Sequence, residues 1–258
     1  LTKEEVGLAF SKAAVTYDEA SDFQKEAGLK LIDRILSDGL RPDKILDVGM
    51  GTGRITRELS LKFNIPVYGC DIAWGMVSFS KANYTTIIPV QADMEKLPYK
   101  AGVFDITFSN IAYQWGRDIG SAFSEVKRVL KTGGRFYFSI LVKGSLAELY
   151  KSIEMATNED YSGDLFPDAG RIKLKLINSG LELDQFEAKT LRRYYNNSFE
   201  LVKKLKDIGA GRISGENIFG MGRRGLFLRM LEMYDKSFSE NGKITASYNI
   251  VSGCARKT

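Results

Sequence analysis

Apolar positions recur at helical spacing through residues 4–38, at sites such as Leu29, Ile32, Ile35 and Leu36. Gly39 ends that stretch and Pro42 keeps it from resuming. The period then shortens. "KILDVG" reads as a short apolar strand and Ile55–Phe63 as an amphipathic helix. "VYGCDI" is a second strand, followed by a helix over Trp74–Asn83, and "TIIPVQAD" is a third. "VFDITFSN" is a fourth, continuously apolar as buried parallel strands are. A helix over Ala122–Leu130, the turn "KTGG" and a fifth strand "RFYFSIL" complete the regular half.

The second half is less regular. Pro167 opens a helix to about Ser179, and "LELDQFEAKTLRRYY" alternates like a long half-exposed strand. Ser198–Ile208 and Gly225–Glu240 read as helices around a glycine-rich loop, "GAGRISGENIFGMGRRG". "KITASYNIVSGCARK" is the final strand. The alternation predicts a Rossmann-like, doubly wound α/β sheet with an antiparallel finish, and one domain over residues 1–258. Its parts are an N-terminal helical segment (1–40), a ligand-binding core (41–142) and a second half (143–258) with a basic insertion at 189–229.

Composition narrows the chemistry. The 258 residues include no histidine and two cysteines far apart, Cys70 and Cys254. Histidine-dependent nucleophilic triads and nearly all zinc sites are thereby excluded, and no metal is expected. Both thiols are expected to be buried. No apolar run approaches the ~20 residues of a membrane span. No charged-then-apolar leader precedes a small-residue cleavage site, so the expectation is a cytoplasmic protein, a monomer without membrane contact. The first residue is Leu1, not Met, and a few residues are expected to precede it. The net charge is +5 and unevenly placed: Lys189–Arg229 holds ten basic and three acidic residues. Such a surface suggests an acidic partner.

The glycine loop carries the strongest signal. "ILDVGMGTGRIT" reads G-x-G-x-G, whereas the dinucleotide fingerprint G-x-G-x-x-G would need glycine where Arg54 stands. Asp47, before Gly49, Gly51 and Gly53, repels phosphates and suits an ammonium group. S-adenosylmethionine has an ammonium, a sulfonium and no phosphate. Asp71 ends the second strand, where an acid accepts ribose hydroxyls. Asp93 ends the third, placed for the adenine amino group, with Met94 packing on the ring. Asn110 ends the fourth at the site's edge. Ile72 and Met76, just past Asp71, join this set.

Together these features resemble the class I S-adenosylmethionine-dependent methyltransferases, whose seven-stranded sheet has its last strand antiparallel. The N-terminal "FSKAAVTYDEASDFQKEAG", "FSNIAYQW", "VKRVLKTGGRFYFSIL", "GSLAEL", "LVKKLKDIGA", "GRRGL" and "ASYNIVSGCARK" further resemble the malonyl-[acyl-carrier protein] O-methyltransferases of biotin synthesis. The resemblance spans nearly the whole chain. It implies methyl transfer to the free carboxylate of a malonyl thioester, leaving S-adenosyl-L-homocysteine. A carboxylate is already ionised at neutral pH, so a chain without histidine can do this by positioning alone. Another small acid or a phenol is the alternative acceptor.

The resemblance also assigns residues. It lays the N-terminal segment over the cofactor pocket as a lid, with Tyr17 and Phe10 closing it and Gln24 beside the cofactor. Arg223 or Arg224 is the first candidate to hold the acceptor carboxylate, with Arg192 and Arg193 behind. Gln114, Trp115 and Tyr195 are expected at the acceptor. Lys203, Lys204, Lys206 and Arg212 would dock malonyl-acyl-carrier protein, a small acidic protein. No nucleic-acid partner is expected, because the fourth strand ends in Ser109-Asn110-Ile111 and not in an Asp/Asn-Pro-Pro-aromatic run. Two departures stand out. Met50 replaces the family's usual Cys, with no role assigned. Ala73-Trp74-Gly75-Met76 replaces Ser-Pro-Gly-Met, and Trp74 is expected beside the adenosyl group.

Overall fold

The computed structural model describes residues 1–158, 166–211 and 224–258. In chain order the elements begin with α1 (Lys3–Ala13), α2 (Tyr17–Ala20), α3 (Asp22–Ser37), β1 (Ile45–Val48), α4 (Arg54–Phe63) and β2 (Val67–Asp71). They continue with α5 (Trp74–Asn83), β3 (Ile87–Gln91), β4 (Phe104–Asn110), a 3₁₀ turn (Tyr113–Trp115), α6 (Ile119–Val129) and β5 (Leu130–Leu141). The second half adds α7 (Ala147–Thr157), α8 (Ala169–Asn178), β6 (Glu182–Tyr195), α9 (Ser198–Asp207), α10 (Arg224–Ser237), β7 (Ser239–Glu240) and β8 (Lys243–Arg256).

The strands form one sheet in the order β3-β2-β1-β4-β5-β8-β6, with β7 paired to β8. The β1, β2, β3, β4 and β5 pairings are parallel, and β8 runs antiparallel to β5, β6 and β7. The doubly wound sheet with an antiparallel last strand is therefore present. The eighth strand, β7, is an addition to the seven expected. Its two residues close a hairpin through Asn241 and Gly242, both at positive φ, the signature of an Asn-Gly turn.

Three apolar clusters hold the layers. One face of the sheet buries Ile45, Val67 and Phe108 against Ile32 and Ile35 of α3 and Leu59 of α4. The other buries Leu46, Phe104 and Phe136 against Phe123 and Val126 of α6 and Leu176 of α8. A third covers the β8 end of the sheet, where Leu201 and Leu205 of α9 and Met230 and Tyr234 of α10 meet Leu149 of α7, Phe23 of α3 and Ile244 and Ala246 of β8. Each apolar side chain so buried stabilises by roughly 1.5–3 kcal/mol.

The N-terminal stretch is three helices, not one. A capping box of Thr2 and Glu5 opens α1. The chain bends at Thr16, whose hydroxyl lies 2.8 Å from the Asp207 carbonyl, and again at buried Ser21. Those bends turn α2 inward over the carboxyl ends of the strands. α7 is an element the periodicity did not single out. "KTGG" is a bulge within β5, with the register against β4 shifting between Phe104 and Ile106.

Candidate active site: a cofactor cleft and an acceptor cavity

The glycine loop follows β1 and turns back over β2. The Gly49 and Met50 amides donate to the Cys70 carbonyl at 2.8 and 3.0 Å. Gly49, Gly51 and Gly53 all have positive φ. Asp71, at the end of β2, braces the loop: one carboxylate oxygen accepts from the Gly51 amide at 2.9 Å, the other from Ala73 at 2.8 Å. Burial pushes its pKa up, against those amide bonds.

A cleft of about 720 Å³ opens here, at the carboxyl ends of the parallel strands. Gly49 and Gly51 form its floor, Asp71 and Ile72 one wall, Asp93, Met94 and Glu95 a second, and Asn110 and Ala112 a third. Helix α1 covers it through Lys3, Val6 and Phe10. Lys3 Nζ bridges Asp93 at 2.6 Å and Glu95 at 2.5 Å. Burial lowers its pKa, but the two carboxylate bonds outweigh that and raise it. Among the described lining residues Lys3 is the cation, set against three acids. Such a cleft disfavours a pyrophosphate and fits a phosphate-free, cationic cofactor.

A second cavity, of about 1050 Å³, adjoins the first. Phe10, Tyr17, Ile111 and Trp115 line both and form the wall between them. Phe10 meets Trp115 edge-on at 5.3 Å and Tyr17 at 6.5 Å. Arg193, Tyr195, Lys204 and Tyr248 also line the second cavity, with Asp22 and Glu200 as its acids. Arg193 pairs with Glu26 and lies 5.6 Å over the Phe23 ring. Gln114 donates to the Ile111 carbonyl at 2.8 Å, while its Oε1 is buried with no partner among the described residues. Burial pushes the Tyr17 phenol well up, with Asp71 and Asp18 adding to it, so Tyr17 is no base at neutral pH.

The sequence matches a family described as "Methyltransferase domain" over residues 46–138. A malonyl-[acyl-carrier protein] O-methyltransferase of Gallionella capsiferriformans is 32% identical, aligned over 100% of this chain and 91% of its own. One from Hahella chejuensis is 32% identical over 96% of this chain and 88% of its own. The chain belongs to the malonyl-[acyl-carrier protein] O-methyltransferase family. It is thus an S-adenosylmethionine-dependent O-methyltransferase. Solved structures agree in fold. The YcgJ protein of Bacillus subtilis superimposes with a TM-score of 0.63 at 17% identity, over 88% of this chain and 98% of that one. Phosphoethanolamine N-methyltransferase 2 of Haemonchus contortus, solved with S-adenosyl-L-methionine, gives 0.60 at 16%, over 96% of this chain and 57% of that one.

The methyltransferase brings most of the expected cofactor residues to the cleft, but not all. Gly49, Gly51, Asp71, Ile72, Asp93, Met94 and Asn110 line it. Asp47 does not: it is 2% exposed and accepts from the Thr56 hydroxyl at 2.6 Å, on the helix-packed side of β1. Gly53 is also away from it, since a Cβ there would meet Ser80 and Ile87. Met76 is 1% exposed and packs with Ala14 and Ala73 between α1 and α5. Trp74 is 59% exposed and lines neither cavity. Gln24 lines the second cavity, and only its carbonyl reaches toward the cleft, accepting from Asn110 at 2.8 Å.

Of the residues expected at the acceptor, Gln114, Trp115, Arg193 and Tyr195 line the second cavity. Arg192 does not, because strand alternation turns it outward. Tyr194 is at the rim, half exposed. Arg224 opens α10, exposed and away from both cavities, while Arg223 and Arg212 lie outside the described residues. Lys3, Val6, Ala112 and Tyr248 were not foreseen. Their signals are ordinary helix and strand positions, and only the tertiary fold carries them to the site. Both cysteines are buried and free, as expected. Among the described residues no cluster of His, Cys, Asp and Glu could hold a metal. No helix among them is long and apolar enough to cross a membrane.

Buried Asp47 gives the methyltransferase a pH signature. Burial raises its pKa from 3.8 to about 7, Thr56 opposing and Asp71 adding. Between those values the native state keeps a proton that the unfolded chain has released. Stability from this group therefore falls as pH rises through that window and levels off above it. Asp47→Asn keeps an acceptor for Thr56 and removes the titration. Its thermal stability should gain on the wild type by roughly 2–4 kcal/mol between pH 4 and pH 8. Parallel stability curves for the two proteins would refute this reading of Asp47.

Proposed function

We propose that the enzyme methylates the free carboxylate of a malonyl thioester held on acyl-carrier protein, making the methyl ester that primes pimeloyl and biotin synthesis. The observation that carries this reading is the paired site: an acidic cofactor cleft sharing an aromatic wall with a roomy cavity that contains an arginine. Bound S-adenosylmethionine would supply an electrophilic methyl group. Gly49 and Gly51 would admit its methionine portion close to the backbone. Asp71 would take the ribose hydroxyls, because each of its oxygens accepts one amide and keeps another lone pair. Asp93 would accept from the adenine amino group, with Met94 against the ring.

On the acceptor side Arg193 is the best-placed group to draw a carboxylate out of water. Its planar fork offers donors beyond the one spent on Glu26. Phe10, Tyr17 and Trp115 would keep water from the line of transfer, and no base is required. Labelled methyl transfer to malonyl- and acetyl-carrier protein tests this directly. Malonyl should be labelled and acetyl, which has no free carboxylate, should not. Equal labelling of both would end the proposal.

The docking face narrows too. Lys204 turns toward the cavity, 3.6 Å from Asp22, so it is a poor docking group. Lys203 and Lys206 are exposed on α9, and Phe199, 57% exposed, sits one turn before Lys203 on that face. Lys203 also pairs with Asp207 at 2.6 Å. Changing Lys203 and Lys206 to Glu together should weaken use of the carrier-bound substrate by roughly tenfold at low salt, while a small malonyl thioester loses less than about twofold. Equal loss on both substrates would remove the docking role.

A further inference from the structure

Arg54 stands where a third glycine would complete a dinucleotide loop, and it does not line the cleft. Its guanidinium turns back to the N-terminal segment. Nη1 donates to the Asp18 carbonyl at 2.6 Å, and Nη2 to the Ser21 carbonyl at 3.0 Å and its hydroxyl at 2.9 Å. Thr52, on the same loop, donates its hydroxyl to the Asp18 carboxylate at 2.6 Å. Ser21 is fully buried, so its two bonds are shielded from water on that side, while Arg54 and Asp18 keep 22% and 27% of their side-chain surface exposed.

The segment is fastened at its other end as well. Asn110, in the cofactor cleft, donates to the Gln24 carbonyl at 2.8 Å. Wall residues of the acceptor cavity sit beside and between these fastenings: Tyr17 precedes Asp18, Phe23 lies between Ser21 and Gln24, and Gln24 is itself one of the fastenings. The Tyr17 ring would touch a side chain on Gly51 at 3.8 Å, so it rests directly over the glycine loop. Residues 17–24 are thus shared between the two sites, and every bond from Arg54 ends within them.

We propose that Arg54 is a positioning residue that couples the two ligands. It holds residues 17–24 to the glycine loop, so that an occupied cleft sets the wall of the acceptor cavity. A planar fork suits this task, because its donors fix the direction of the segment and not just its distance. Linkage then requires the reverse effect: an occupied acceptor cavity tightens the cleft by the same factor. The inference rests on the methyl-transfer reading of the paired site.

The test uses S-adenosylhomocysteine and a small malonyl thioester, malonyl-N-acetylcysteamine, with two readouts. One is amide hydrogen exchange over residues 17–24 with and without S-adenosylhomocysteine. The other is thioester affinity, by calorimetry, with and without it. In the wild type, S-adenosylhomocysteine should slow exchange in that segment and tighten the thioester by about fivefold or more, within the usual span of coupling factors. Arg54→Ala should bind S-adenosylhomocysteine within about threefold of wild type, lose its effect on exchange, and show coupling below about twofold. Arg54→Lys, with one donor group in place of the fork, should fall between. Thr52→Val cuts only the bond to Asp18 and should move both readouts the same way by less; it carries the test if Arg54→Ala does not fold. Retention of both effects in Arg54→Ala, or their absence in the wild type, overturns the proposal. So does a more than tenfold loss of S-adenosylhomocysteine affinity in Arg54→Ala, which would assign Arg54 to the cleft alone. Failure of the thioester to bind the wild type would sink the acceptor reading, while the exchange readout still decides the clamp.

Discussion

Gly49→Ala is expected to abolish cofactor binding and to destabilise the fold by roughly 2–5 kcal/mol. Two separate effects add. Gly49 has φ +77°, where a Cβ is strained by roughly 1–2 kcal/mol. The new methyl would also overlap the Ala112 side chain on the next strand end. The loop cannot retreat freely, because the amides of Gly49 and Met50 are both bound to Cys70. Displacing it would spoil the floor of the cleft, and S-adenosylhomocysteine affinity should fall by at least about a hundredfold. The two effects can be separated. Gly39→Ala meets the same φ penalty in open space and should lose only roughly 1 kcal/mol. Adding Ala112→Gly to Gly49→Ala should restore the packing part and leave the backbone part. Thermal melts with calorimetry of S-adenosylhomocysteine would show it, and a Gly49→Ala protein that binds normally would contradict the role of the loop.

Arg193→Gln should lower kcat/KM for the malonyl substrate by roughly 30- to 3,000-fold, the range for losing one partner of a desolvated charge pair. The fold should survive, because Glu26 keeps Lys30 at 2.6 Å. S-adenosylhomocysteine affinity should be nearly unchanged, since Arg193 does not line the cofactor cleft. Arg193→Lys should recover little: an ammonium is a point donor and cannot grip both carboxylate oxygens in the plane. Steady-state kinetics with a small malonyl thioester reads the acceptor effect free of carrier docking. Activity within about threefold of wild type in Arg193→Gln would move the carboxylate clasp elsewhere.

The core of the fold was legible because its signals are local. Each buried parallel strand is a short apolar run, and the residue at its carboxyl end is the one the sheet exposes to ligand. Asp71, Asp93 and Asn110 could be placed from that rule alone. Where the rule meets a residue inside a strand it gives no direction. Asp47 sits in a strand buried on both faces, so no polar alternation reveals that it points at Thr56 and not at the cleft. Gly53 gives no direction for a related reason. A glycine looks the same whether it admits a ligand or, as here, the close approach of Ser80 and Ile87. Met76 lies near Asp71 in sequence but one helical turn carries it under α1. The unforeseen residues are nonlocal by nature. Lys3 reads as an ordinary first-turn lysine, and only the path of α1 across the sheet brings it 90 residues away to Asp93. The Arg pair at positions 192 and 193 was ambiguous until the alternation of β6 turned Arg193 inward and Arg192 to solvent.

Met50, where the resembling enzymes usually have Cys, points away from the cleft into a pocket with Val77, Ile87 and Tyr84. Its sulfur lies directly over Gly69 in β2, where even one methyl group would collide with it. The two positions form a single lock on mutational history. Gly69→Ala requires the Met50 thioether to shift while Met50 stands. Met50→Cys opens room above β2 first, and Gly69→Ala can follow. The less costly route between the long side chain with glycine and the short one with alanine therefore shortens residue 50 first.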